Sequence, residues 1–155
     1  MARTRFTLST EGEVALTAAT AKTVLQLVTP ANIGVAVRGL AVSFDGTSGA
    51  AEPGSVELIV QTSAGTGGTA NTMQHDDRRN GLTIQSAGLK NIATTEPTDG
   101  SVILRDWHVH PQTGVEFRWW LDEEILMAGT SAVRLGVRAT MPATVNVRAR
   151  LFCEE

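Results

Sequence analysis

The stretch TVNVRARLFC, residues 144–153, alternates without a break. Val145, Val147, Ala149, Leu151 and Cys153 fall in one phase, and Asn146, Arg148 and Arg150 in the other. Period two is the mark of a half-buried β-strand, because successive side chains point to opposite faces. The pattern recurs in TVLQLVT (23–29), VAVRGLAVSF (35–44), SVELIVQT (55–62), SVILRDWHVH (101–110), GVEFRWWL (114–121) and SAVRLGVRAT (131–140), and more weakly near 3–8 and 13–18. Turn signals at Asp45-Gly46, Pro111 and Met141-Pro142 punctuate these runs. About eight or nine strands at such spacing predict an all-β sandwich or barrel. Val, Thr, Ala and Gly dominate and tyrosine is absent, which suits strands better than long amphipathic helices. Only residues 86–93 leave room for a short helix. At 155 residues the chain is sized for a single domain.

A formal net charge of -3 gives no general attraction to nucleic acid or to an anionic membrane. No apolar run is long enough to span a bilayer, and the basic start MARTRFTLSTEGEVAL lacks the apolar core of a signal peptide. Cys153, the single cysteine, admits no intrachain disulfide and sits on the apolar phase of its strand, where a buried small hydrophobe is expected. The glycine-rich 63–72 lacks the lysine and the Ser/Thr of a phosphate loop, and reads as a mobile tip or a segment ordered by a partner. VAVRGLAVSF and FRWWL appear apolar on both faces. A second subunit is therefore expected to cover one of them, with Val35 and Val37 as interface candidates.

DWHVHPQ (106–112) raises the question of chemistry. On a strand, Asp106, His108 and His110 share a face, and with His75 they would offer a metal a carboxylate and imidazoles. The likeness to cupin enzymes stops at the His-x-His pair, since Glu116 lies too far on, across a Pro-Gln-Thr-Gly turn. The expected role is structural, with Trp107 and Val109 filling the core behind a polar face. No Gly-x-Ser-x-Gly elbow is present, so neither an enzyme nor a cofactor is expected. Arg134, Arg138, Arg148 and Arg150 would form a basic stripe if the last two strands paired, with Asp122, Glu123 and Glu124 of this subunit or a neighbour as counter-charges. Trp119 and Trp120 are adjacent and must face opposite sides of a strand. One joins the core, and the other is an interface anchor or, alternatively, a sugar-stacking platform.

Taken together, LTAATAKTVLQLVTPANIGVAVRGLAVSFDGTSGAAEPGSVELIVQTSAGT, WHVHPQTGVEFRWWL and MPATVNVRARLFCEE resemble small virion proteins of tailed bacteriophages, similar to jelly-roll-type capsid decoration (cement) proteins. The resemblance implies a jelly-roll-like antiparallel β-sandwich that forms a homotrimer. It would be made in the host cytoplasm and sit on the capsid exterior of the virion. Its partner would be the major capsid protein, with no direct nucleic acid, membrane or cofactor. Residues 1–8, with Arg3, Arg5 and Phe6, are either an N-terminal arm reaching that capsid or an edge strand. Two further readings stay open: a tail- or fibre-associated carbohydrate-binding module, and a cupin-like metal-binding protein.

Overall fold

The computed structural model describes residues 4–50, 52–77, 81–92, 94–130 and 132–155. Among them are thirteen β-strands and no helix. In chain order these are β1 (Arg5–Ser9), β2 (Val14–Leu16), β3 (Lys22–Val28), β4 (Val35–Phe44), β5 (Gly54–Gln61), β6 (Thr69–Ala70), β7 (Gln74–His75), β8 (Ala87–Lys90), β9 (Asp99–Val109), β10 (Gly114–Arg118), β11 (Ile125–Met127), β12 (Arg134–Thr140) and β13 (Val145–Glu154). The first sheet runs β10-β4-β13-β1-β7, with β11 also on β4 and β2 also on β13. The second runs β6-β8-β3-β12-β5-β9, and all pairings are antiparallel.

The all-β sandwich expected from the alternation is present, with more strands than the eight or nine anticipated. Five of the thirteen (β2, β6, β7, β8 and β11) have two to four residues, too few for a period to register. Residues 87–90 form strand β8, in place of the short helix for which the sequence leaves room. The inward phase of β13 is buried throughout, as its alternation requires. It packs with Phe6, Leu8, Leu40 and Val42 against Leu25, Leu27, Leu58, Leu135 and Val137 of the facing sheet. Each such side chain contributes roughly 1.5–3 kcal/mol by leaving water.

Three expectations are corrected here. Val35 and Val37 are interior residues, so they present no surface to a second subunit. The register of β4 against β13 shifts between Phe152 and Cys153, so Val37 pairs with Cys153 while Gly39 pairs with Phe152. The extra residue flips the phase, which is why 35 and 37, then 40 and 42, all point inward. A bulge, not a second apolar face, explains VAVRGLAVSF. Phe6 is likewise fully buried, because β1 lies between β13 and β7 and is neither a free arm nor a bare edge. Arg5 pairs with Glu154 of β13 at 3.0 Å, and Arg3 lies outside the described residues.

The glycine-rich segment also departs from expectation. Thr66 bridges to Thr95, and Gly65 and Gly67 take left-handed φ values of 66° and 76°. The segment packs on Ile92, Thr94, Thr95 and Pro97, with Gly65 and Gly68 set against the buried Ile92. Beneath it lies a buried amide chain, in which Gln26 Nε2 donates to Gln61 Oε1 (2.7 Å) and to the Ser63 carbonyl (2.9 Å). Gln61 Nε2 in turn donates to Thr23 Oγ1 at 2.9 Å. This cover is why β3 is buried on both faces.

Two carboxylates tie loops to the sandwich. Asp45 accepts from Asn146 N (2.6 Å) and Nδ2 (2.7 Å), and these bonds hold its carboxyl below the ordinary value. Glu11 is held low by Lys90 and by the Thr72 amide. Depressed folded-state values mean that this stability is present above the unfolded carboxylate range, and is lost as pH falls through the folded values. Thermal melts should be flat from neutrality to about pH 5 and fall below about pH 4. A melting temperature that rises on acidification would contradict both ties.

Candidate interaction surface

The histidines do not converge. His108 is exposed on β9, whereas His110 lies beyond its end in the turn to β10, where its Nδ1 accepts from Gln112 N at 3.2 Å. His75 sits on β7 at the opposite margin of the first sheet from β10, a width of roughly 19 Å at about 4.8 Å per strand. No group of three His, Cys, Asp or Glu side chains with metal-binding proximity occurs among the described residues. Trp107 packs on the core and Val109 lies within it, as expected behind a polar face. Replacing His108 and His110 by glutamine should move the melting midpoint by no more than about 0.5 kcal/mol equivalent. Stoichiometric metal in the parent protein, lost in that double variant, would refute a structural role.

The basic stripe forms only in half. β12 and β13 are consecutive in sequence but lie in different sheets, so Arg134 and Arg138 are separated from Arg148 and Arg150. Arg138 is engaged by Glu57 (2.7 Å) and by Asp99. Arg148 and Arg150 face outward from the first sheet, over a floor of small residues. Across the strands, Gly114, Ser43 and Arg148 form one row, Glu116, Ala41 and Arg150 the next, and Arg118, Gly39 and Phe152 the third. Gly39 is required there, since a Cβ would meet the Phe117 carbonyl at 2.6 Å. The result is an open groove of about 730 Å³ lined by these residues except Gly39, which lies beneath Arg118 and Phe152. The Arg118 guanidinium lies 3.2 Å from the centre of the Phe152 ring, a cation–π contact, and 3.2 Å from Glu116. Arg148 pairs with Glu13 at 3.1 Å, while Arg150 has no ion pair among the described residues.

Beside the groove, β10 ends in a turn. Trp119 N donates to the Arg38 carbonyl (2.9 Å), and its ring packs on the core. Trp120 is then thrown outward, 79% exposed, followed by Leu121 at 66%. Glu123 N closes the turn on the Trp120 carbonyl at 3.0 Å, with Asp122 at a left-handed φ of 75°. Strand β11 rejoins β4 and leaves Leu126 76% exposed. Of the two adjacent tryptophans, Trp119 is half-buried and packs against the core, and Trp120 belongs to the surface. Trp120, Trp119, Phe117 and Arg105 line a second depression with Asp122, Glu123 and Glu124. Glu124 faces Arg38 at 3.5 Å, and Arg38 also engages the buried Glu154. Asp122 and Glu123 have no ion pair among the described residues.

Sequence reasoning found Arg148, Arg150 and the tryptophan pair. It missed the groove floor, whose signal was the small outward residues Ala41 and Ser43, scrambled by the bulge. Cys153 lies under this sheet. Burial, then the nearby Asp76 and Glu155 charges, push its thiol far above the ordinary value. Native protein should therefore resist thiol reagents at neutral pH and react fully once unfolded. Rapid native labelling would mean that β13 opens.

Comparisons with protein-family models, with curated proteins and with solved structures found no match to this chain.

Proposed function

We propose that the protein is a structural virion component. As a homotrimer it binds the exterior of an assembled phage capsid, contacts the major capsid protein and stabilises the shell, without turnover or cofactor. The observation that carries this reading is the run of exposed apolar side chains along the β10–β11 margin of the first sheet, Phe117, Trp120, Leu121 and Leu126. An aromatic side chain covers 150–250 Å² when buried, and large apolar groups left together in water mark a surface completed by another protein. The winding supports the jelly-roll part of the reading. The eight longer strands alternate between β1-β13-β4-β10 and β3-β12-β5-β9, four to a sheet. That is the order of two interlocked Greek keys. The phage assignment itself rests on the resemblance of the strand segments.

A second reading draws on the same edge. An exposed indole flanked by Asp122, Glu123 and Arg105 has the make-up of a glycan platform, with an apolar ring face and polar groups at its rim.

Sedimentation of the purified protein with expanded and unexpanded shells tests the proposal. Saturable binding to the expanded shell, with a raised shell melting temperature, is the expected result. Absence of binding to any shell, together with retention on a glycan array that is lost on Trp120→Ala, would replace it with the second reading.

A further inference from the structure

The groove and the turn are complementary in both shape and charge, and both belong to the same chain. We propose that the Trp120–Leu121 turn of one copy seats in the outer-face groove of a second copy, between β10 and β13. This inference rests on the homo-oligomer reading above and supplies its contact.

The groove offers what the turn lacks. Its floor of Ala41, Ser43 and Gly114 carries almost no side-chain bulk, so an indole and an isobutyl group can lie on the sheet between the Glu116, Arg148 and Arg150 side chains. Phe152, capped by the Arg118 guanidinium, closes one end of the groove, and the volume of about 730 Å³ is ample for both groups. Charge sets the partner. Arg150 stands at the groove with no counter-ion, while Asp122 and Glu123 flank the turn with none among the described residues. A chain of net charge -3 repels its own copies unless local charges of opposite sign are brought together. Arg118 and Arg148 are already paired with Glu116 and Glu13, so it is Arg150 that receives the acidic turn, and seating the turn there covers its two most exposed apolar residues.

Two different patches can meet reciprocally across a two-fold axis or head-to-tail, and the trimer proposed above requires the head-to-tail form. Such contacts close into rings when the rotation permits, and a trimer is the smallest ring of that type. Within the turn Asp122 takes a left-handed φ of 75°, a backbone that aspartate tolerates better than most residues.

Sedimentation velocity over a dilution series tests the contact with surface variants that leave the core untouched. Trp120→Ala and Arg150→Glu should each weaken self-association, the first by at least about 30-fold, as removal of an interface anchor does. Glu123→Arg should weaken it too, and the double variant Glu123→Arg/Arg150→Glu should regain much of the loss. A wild-type chain that stays monomeric at tens of micromolar would overturn the trimer and this contact together. A wild-type oligomer insensitive to Trp120→Ala and to Arg150→Glu would overturn the contact alone, and loss of shell binding in those variants would then assign the turn to the capsid. Sensitivity to Trp120→Ala with both charge variants neutral would overturn the groove as its seat.

Discussion

Removal of residues 1–8 is expected to leave no folded sandwich. The deletion takes away most of β1, which pairs with β13 from Arg5 to Ser9 and with β7 at Phe6 and Thr7. It also removes Phe6 and Leu8, both fully buried between the sheets. Truncating such side chains to alanine costs about 3–5 kcal/mol for Phe and 2–5 for Leu. Their sum rivals the whole stability of a domain, about 5–15 kcal/mol. Phe6→Ala alone should therefore lower the unfolding free energy by about 3–5 kcal/mol. Arg5→Ala should cost under about 1 kcal/mol, because its side chain is largely exposed and Glu154 keeps Arg38. Circular dichroism and urea melts separate these outcomes. A truncated chain that still melts cooperatively would mean that β1 is dispensable, and would return the N-terminal segment to the role of a free arm.

What was legible in the sequence is what local periodicity encodes. β13 reads correctly because nothing interrupts its pleat, from Val145 to Cys153. β4 misleads because one extra residue near Arg38 swaps its faces, and a bulge has no signature that distinguishes it from a strand apolar on both sides. β3 misleads differently. Gln26 and Thr23 are polar yet fully buried, because the segments near 63–68 and 94–98 fold back over them. That cover is a long-range event, and the glycines that permit it look like those of any loose loop. The candidate surface was half legible for the same reason. Arg148 and Arg150 share a phase within one strand, but their separation from Arg134 and Arg138 depends on the chain crossing between sheets after Thr140. The choice between Trp119 and Trp120 needed the turn closed by Glu123, which sets the phase after β10 ends.

Gly136→Ala is expected to destabilise the protein by about 3 kcal/mol or more, through polar groups and not through the apolar core. Gly136 lies at the middle of β12, opposite Gln26 on β3 and Ile59 on β5. The carboxamide of Gln61 lies across it, and a Cβ at this position would overlap that group. Gln61 cannot be displaced cheaply. It is fully buried and accepts from Gln26, and it donates to Thr23 and, at 3.3 Å, to Asp99. Each buried polar group left without a partner costs about 1–3 kcal/mol, and several lose one at once. Gly12→Ala is the internal control, since no atom lies within 4 Å of a Cβ there, and it should be close to neutral. Gln61→Leu should reproduce part of the loss without the clash, because Gln26 keeps the Ser63 carbonyl. The damage should also be local before it is global. The cover over β3 is held by this amide chain and by Thr66 and Thr94, whose amides donate to the carbonyls of Thr95 (2.9 Å) and Thr66 (3.1 Å). In Gly136→Ala, hydrogen exchange at Thr66 and Thr94 should quicken well below the unfolding transition, while the amides of β13 stay protected. Equal exchange in the variant and the parent would mean that the cover stands on the backbone alone, and that the buried glutamines do not hold it.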